Sequence, residues 1–257
     1  MKIRITILAL TFTFLCLLPS SHVNSQTTAS AVPTSPFKVT ADLVSSYYWR
    51  GVVSSYTPNF QPTFSFTKGN LEIGIWGSTS FDGKYKEADL YASYTMGPLK
   101  ITVTDYDWYF YASKYFDYKS KTTGHIFEGT IGYNGPATFP ISITANAMFA
   151  GADKKFDANS SVSPFTGINQ DPSKQAYSTY IEFGYAFKYC SPFLGITPAD
   201  GYYGDGYGGN TGFSVCNVGI TSIKNLKISD AFSLPLKATL GFNPQKEDVY
   251  LVFGITF

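Results

Sequence analysis

The last nine residues, Val249-Tyr-Leu-Val-Phe-Gly-Ile-Thr-Phe257, restrict the fold more than any other stretch. Val249, Leu251, Phe253, Ile255 and Phe257 share one face, and Tyr250, Val252, Gly254 and Thr256 share the other. Strict period two describes a β-strand with different solvents on its two sides. A bare edge of this kind invites pairing with other chains. Closing the sheet, so that the last strand pairs with the first, removes the edge. An all-β, antiparallel, up-and-down transmembrane β-barrel is therefore the expected fold.

The N-terminus reads as an export signal over residues 1–25. Lys2 and Arg4 precede an apolar run from Ile5 to Leu18, Pro19 and Ser20 break it, and Val23-Asn24-Ser25 offers a small-residue cleavage pattern. The run is too short for an ordinary membrane-spanning helix. Cys16 follows Phe14 and Leu15, where a lipoprotein signal would carry small residues. Removing residues 1–25 changes the formal net charge from +1 to −1, because Lys2 and Arg4 leave with them. Such a near-neutral chain gives no reason to expect nucleic-acid binding. Residues 26–36 read as a short disordered lead-in, and 37–257 as one barrel without an internal linker. The 20 Tyr and 22 Phe against 3 Trp suit aromatic girdles at the two membrane interfaces.

Alternating runs predict strands near 37–50, 58–67, 70–80, 86–95, 98–110, 124–133 and 139–150. Further runs lie near 176–187, 191–198, 212–224, 233–242 and 247–257. That makes twelve, with ten as the fallback count. Lys68-Gly69-Asn70, Met96-Gly97-Pro98 and Asn134-Gly135-Pro136 make tight turns, whereas 81–86, 111–123, 151–175 and 199–211 are longer. Short turns on one side and long loops on the other fit such a barrel, and both termini on one side demand an even count.

The faces follow by alternation. In the first strand Phe37, Val39, Ala41, Leu43, Tyr47 and Trp49 share a side, opposite Asp42, Ser46, Tyr48 and Arg50. The same alternation puts Asp42, Arg50, Glu72, Asp89, Glu128, Glu182 and Lys237 on the polar face; these are the pore-lining candidates. A Lys or Arg facing lipid at mid-depth costs roughly 2–4 kcal/mol, whereas a lumen supplies water or partners. Periodicity alone allows either face to point inward; the signal and Phe257 favour the polar one. The fifth strand breaks step, because Asp105 and Asp107 share a face with Ile101 and Val103. A bulge near 104–105 is expected to turn both acids inward.

Asp42-Leu-Val-Ser-Ser-Tyr-Tyr-Trp-Arg50-Gly51 resembles the D-L-V-S-x-Y-x-x-R-G opening of the TorF-type porin family. The Pro62 region, the Gly74-Ile-Trp76-Gly-Ser78 strand and the Glu87-Ala-Asp89-Leu-Tyr91 strand are similar in texture. The resemblance implies an outer-membrane protein and a channel, with little about its solute. About twelve strands enclose a narrow passage, and inward charges would set its selectivity. The expectation is a conduit for small solutes or ions, mildly cation-preferring or lined by paired charges. Alternatively, Asp42, Arg50 and Glu128 form an ion network that plugs the lumen, leaving a non-conducting barrel that binds or anchors through its outer loops. The expected partners are outer-membrane lipids, small solutes or ions, and the barrel-assembly machinery acting on the strand ending at Phe257. An outer-membrane hydrolase ranks last, since His125 alone remains after cleavage and stands in no nucleophile–base pattern. No cofactor, metal or catalytic residue is expected. Asp153, Lys154, Lys155 and Asp157 read as a solvated loop. Cys190 and Cys216 fall at opposite ends of their strands, too far apart for a disulfide.

Overall fold

The computed structural model describes residues 35–108, 114–203, 212–230 and 232–257. The expected signal peptide and all of the lead-in except Ser35 and Pro36 lie outside these residues. In chain order the strands are β1 (Phe37–Val44), β2 (Tyr47–Trp49), β3 (Val52–Ser55), β4 (Asn59–Lys68), β5 (Leu71–Ser80), β6 (Lys86–Met96), β7 (Leu99–Tyr106) and β8 (Ile126–Asn134). There follow β9 (Ile141–Gly151), β10 (Lys154–Phe156), β11 (Gln170–Gln175), β12 (Thr179–Tyr185), β13 (Ser191–Thr197), β14 (Ser214–Lys227), β15 (Ser233–Asn243) and β16 (Asp248–Thr256).

Twelve of these strands close a barrel in the order β1, β16, β15, β14, β13, β12, β9, β8, β7, β6, β5, β4. Every neighbouring pair is antiparallel, and β1 meets β16 through Asp42↔Thr256, Leu43↔Ile255 and Val44↔Gly254. The count of twelve stands and ten falls away. The connections 69–70, 97–98, 135–140, 186–190 and 228–232 lie at one end with the start of β1 and the end of β16. The other connections, among them the long 45–58 and 152–178 and the short 244–247, lie at the other end. One of them, 45–58, replaces what the alternation reads as the continuation of the first strand.

The barrel settles which face points inward. Ile73 and Ile75 of β5, Ile101 and Val103 of β7, and Val249, Leu251 and Phe253 of β16 are exposed on the outer wall. On the opposite face of the wall Ser78, Ser93, Glu128, Asn146 and Tyr250 are buried inside. A water-soluble barrel would invert this order. An apolar belt outside a polar interior is the arrangement of a barrel surrounded by lipid, where each such aliphatic side chain is worth about 1.5–3 kcal/mol once removed from water. Near the short turns, Tyr185 packs 5.8 Å from Phe139 and 4.7 Å from Phe187, ring centroid to centroid. These rings sit where a membrane interface would place them.

One expectation is corrected by the register. β7 carries no bulge: Thr104↔Glu128, Asp105↔Phe127 and Tyr106↔Ile126 continue its ladder without a shift. Asp105 stays on the face of Ile101 and Val103, at the long-loop end. There His125 Nδ1 lies 2.7 Å from Asp105 Oδ1 and the Tyr118 hydroxyl donates to Oδ2 at 3.3 Å. A partnered carboxylate at a strand end avoids the cost of one at mid-depth. Asp107 lies beyond the strand and is fully buried. The wall irregularities fall instead at Phe127/Glu128 and Gly195/Ile196. His125 is buried, with Nε2 2.6 Å from the Tyr115 carbonyl. Asp153 is likewise buried rather than solvated, accepting bonds from Ser178 Oγ at 2.5 Å and Ser178 N at 3.0 Å.

Candidate functional site

The first strand leaves the wall after Val44. Its continuation becomes a hairpin, β2 with β3, whose tip Arg50-Gly51 lies between Trp49 and Val52. Both tip residues have positive φ, 53° and 79°, as a two-residue type I′ turn requires. Gly51 has a second reason to be glycine: a Cβ there would lie 2.3 Å from the Cys216 carbonyl oxygen of β14. Asn243 Nδ2 donates to the Gly51 carbonyl at 2.9 Å. The hairpin is therefore docked inside the barrel and not against its rim. Tyr47 and Trp49, which alternation assigns to the outer face with Val39 and Leu43, point into the interior.

Arg50 reaches across the lumen. Nη1 donates to Glu128 Oε2 at 2.6 Å and Nη2 to Oε1 at 2.8 Å, a two-pronged pair. Nη2 also donates to Asn146 Oδ1 at 2.7 Å, and Nη1 to the Tyr203 hydroxyl. Glu128, whose side chain is 0% exposed, further accepts from Tyr106 at 3.0 Å and Tyr203 at 3.3 Å. The guanidinium lies 4.2 Å from the Trp49 ring centroid, a cation–π contact. For a non-glycine residue the left-handed backbone at Arg50 costs about 1–2 kcal/mol, which this set of bonds offsets.

Toward the short turns the lumen opens into two cavities. One, of about 330 Å³, is lined by Asp42, Arg50, Glu182 and Lys237. The other, of about 480 Å³, is lined by Glu72, Asp89 and Lys100. Thr256 Oγ1 donates to Asp42 at 2.5 Å, Tyr180 donates to Glu182, and Lys100 Nζ lies 3.1 Å from Glu72. The structure thus gathers Asp42, Arg50, Glu182 and Lys237 around one space and Glu72 with Asp89 around another. It joins Glu128 to Arg50 and leaves Asp42 outside that network. On the long-loop side a third cavity, of about 300 Å³, is lined by Trp49, Tyr85, Trp108, Tyr202 and Lys246. Tyr47 borders all three.

Several residues of this interior escape a reading by alternation. Tyr47 and Trp49 do so because the strand breaks. Tyr203 does so because it follows β13 in a connection and not in a strand, and there it meets Arg50 and Trp49. Glu87 shares the polar face of Asp89, is 5% exposed and accepts from the Tyr85 hydroxyl at 2.6 Å. Burial and the Glu87 carboxylate hold the Tyr85 and Tyr202 phenols well above their usual range, so both keep their protons at neutral pH. Along β14, Cys216 lies five residues from Thr221, the partner of Ser191 next to Cys190, so the two thiols stand far apart.

No protein-family model matches the chain, and no curated protein does. Solved structures with a similar barrel include a mutant Rh. blastica porin, at 9% identity over 77% of this chain and 55% of that one, TM-score 0.38. A membrane protein from a study of in-meso crystallization shares 10% identity over 85% of this chain and 81% of its own, TM-score 0.45. The Escherichia coli outer-membrane protein Wzi, a carbohydrate-binding β-barrel of group 1 capsule assembly, shares 14% identity over 78% and 51%, TM-score 0.34. The chain spans just over half the length of the porin it matches. Identities at this level carry nothing about function.

Proposed function

We propose that the protein is an outer-membrane channel for small solutes or ions, constricted at one level by its inward hairpin. The observation that carries this reading is Tyr47, whose side chain borders one cavity on the long-loop side and two on the other. The passage is interrupted there by the Arg50–Glu128 clamp and by rings that pack with Ile126, Met148 and Cys216. With Glu128 paired to Arg50, the carboxylates Asp42, Glu72 and Glu182 around the two lumen cavities outnumber the bases Lys100 and Lys237, which favours cations mildly. Export through the signal at residues 1–25, assembly through the strand ending at Phe257, and kinship with the TorF-type porins belong to the same reading. It assigns the chain no enzymatic step.

Single-channel recording of the refolded barrel tests it, with reversal potentials measured in a salt gradient. Small discrete steps with a cation bias are expected, and replacing Asp42 with Lys should reduce that bias. Silence from both the native barrel and one lacking the hairpin would overturn the channel. Strong anion preference would overturn the charge assignment alone.

A further inference from the structure

The connection between β7 and β8 is fastened at both ends. On the lumen side Asp107 N donates to Asp89 Oδ1 at 3.2 Å, and Trp108 packs 5.0 Å from Trp49. On the outer side the connection folds back over the wall. The Tyr118 ring stacks on the His125 ring at 4.4 Å and 28°, the Tyr115 ring meets it at 5.1 Å and 73°, and the Phe127 ring lies at 6.4 Å. The His125 side chain is only 1% exposed, although Ile101 and Val103, on the same face as its partner Asp105, are open to the surroundings. Its cover is the connection itself.

Both nitrogens of that ring face acceptors. Nε2 lies 2.6 Å from the Tyr115 carbonyl, so it carries a hydrogen and donates it. Nδ1 lies 2.7 Å from Asp105 Oδ1. In a neutral ring Nδ1 is then an acceptor, and two acceptors do not stand that close without a proton between them. The proton belongs to the pair, whether it rides on the imidazole or on the carboxyl. The Tyr118 hydroxyl completes the group by donating to Asp105 Oδ2 at 3.3 Å. We infer that this pair is a pH-sensitive strap: the shared proton holds residues 114–124 against the outer wall, and its loss frees them. Raising the pH withdraws the proton and leaves a buried carboxylate facing an imidazole lone pair, so the strapped state loses ground as pH rises. The other titratable neighbours are Tyr115 and Tyr118 on the connection, Asp107, which acts on Asp105, and Asp89, which acts on Tyr115. β8 and β9 present only the rings of Phe127 and Phe149 to this group among the described residues. Burial, with Asp105 beside it, pushes the Tyr118 phenol up to about 12, and burial raises Tyr115 as well. Both therefore keep their protons where a histidine titrates.

Trypsin reads the strap, because Lys114, Lys119 and Lys121 are exposed in this segment. Cleavage after Lys84, exposed in the connection between β5 and β6, corrects for the protease's own pH dependence. In the refolded full barrel, cleavage after the three lysines relative to Lys84 should rise severalfold between about pH 6 and about pH 9. Two variants separate a shared proton from mere packing. In Asp105→Asn the amide donates to Nδ1 and leaves Nε2–H for the Tyr115 carbonyl, with no proton to lose, so the segment should stay protected at both pH values. In His125→Gln it should be cleaved readily at both. Heat-modifiable migration on gels verifies that each variant is folded, and if His125→Gln does not fold, Asp105→Asn carries the test alone. Equal relative cleavage of the native barrel at the two pH values would overturn the strap. So would either folded variant keeping the native pH dependence, or a folded Asp105→Asn barrel that is open at both. A folded His125→Gln barrel as protected as the native one at the lower pH would do the same.

Discussion

The Glu128 side chain is fully buried, so its charge depends on the groups that face it. Arg50 supplies two of its hydrogen bonds, and Tyr106 and Tyr203 supply others. Arg50→Ala would leave a buried carboxylate without its counter-charge. The expected loss is about 3–5 kcal/mol of stability, measured by urea unfolding of the refolded barrel. Arg50→Met combined with Glu128→Leu should recover much of that loss, because an apolar pair replaces a buried ion pair at little cost. A single variant as stable as the parent would show that the clamp is not holding the hairpin. Alternation placed both residues on the polar face, and the plugged-lumen alternative grouped them with Asp42, but it could not single out the pair. They are 78 positions apart, and the hairpin that brings them together leaves no periodic trace. Asp105 shows the same limit from the other side. Its phase with Ile101 and Val103 demanded an explanation, and a bulge was the local one. The actual explanation is a partner, His125, contributed by the neighbouring strand's entry.

At the scale of the element, β2 and β3 were hidden by their own regularity. Tyr47 and Trp49 continue the odd-numbered face of β1, and the single step missed at Ser45 is all that marks the departure at Ser45-Ser46. The legible signal was the Arg50-Gly51 pair, a combination suited to a tight hairpin once φ is positive at both positions. Gly51→Ala should destabilise the barrel by about 1–2 kcal/mol from the backbone conformation alone, with the Cys216 contact adding to it. Denaturant midpoints measure this, and an unchanged midpoint would mean that the tip can undock freely. Replacing residues 46–57 with a short Gly-Ser linker tests the element as a whole. The β1–β4 ladder runs from Phe37↔Phe66 to Val44↔Asn59 and lies entirely outside the replaced segment. The barrel should therefore remain folded while its single-channel conductance rises severalfold. A folded, hairpin-free barrel with the parent conductance would place the constriction elsewhere.

For the whole molecule, closure and constriction compete for the same stretch of chain. The strand count and the sidedness of the loops were legible because each follows from turns and alternation repeated around the wall. The strength of the seam was not, since it depends on where β1 stops. β14 and β15 share a ladder from Val218↔Phe242 to Lys227↔Ser233, whereas β1 and β16 share only Asp42↔Thr256 to Val44↔Gly254. Ala41 N and Phe257 N extend the seam by bonding to each other's carbonyls, and Ser45 N bonds to Phe253 O at 2.8 Å. Beyond Ser45 the chain turns inward, so the outer half of β16 loses its β1 neighbour to the hairpin. Local opening follows the fewest cooperative backbone bonds. The amides of Ala41 and Ser45 should therefore exchange with solvent deuterium before those of β14 and β15 at the same depth. If the seam amides were instead among the slowest, the hairpin would be bracing the closure, and removing it should open the barrel rather than the pore.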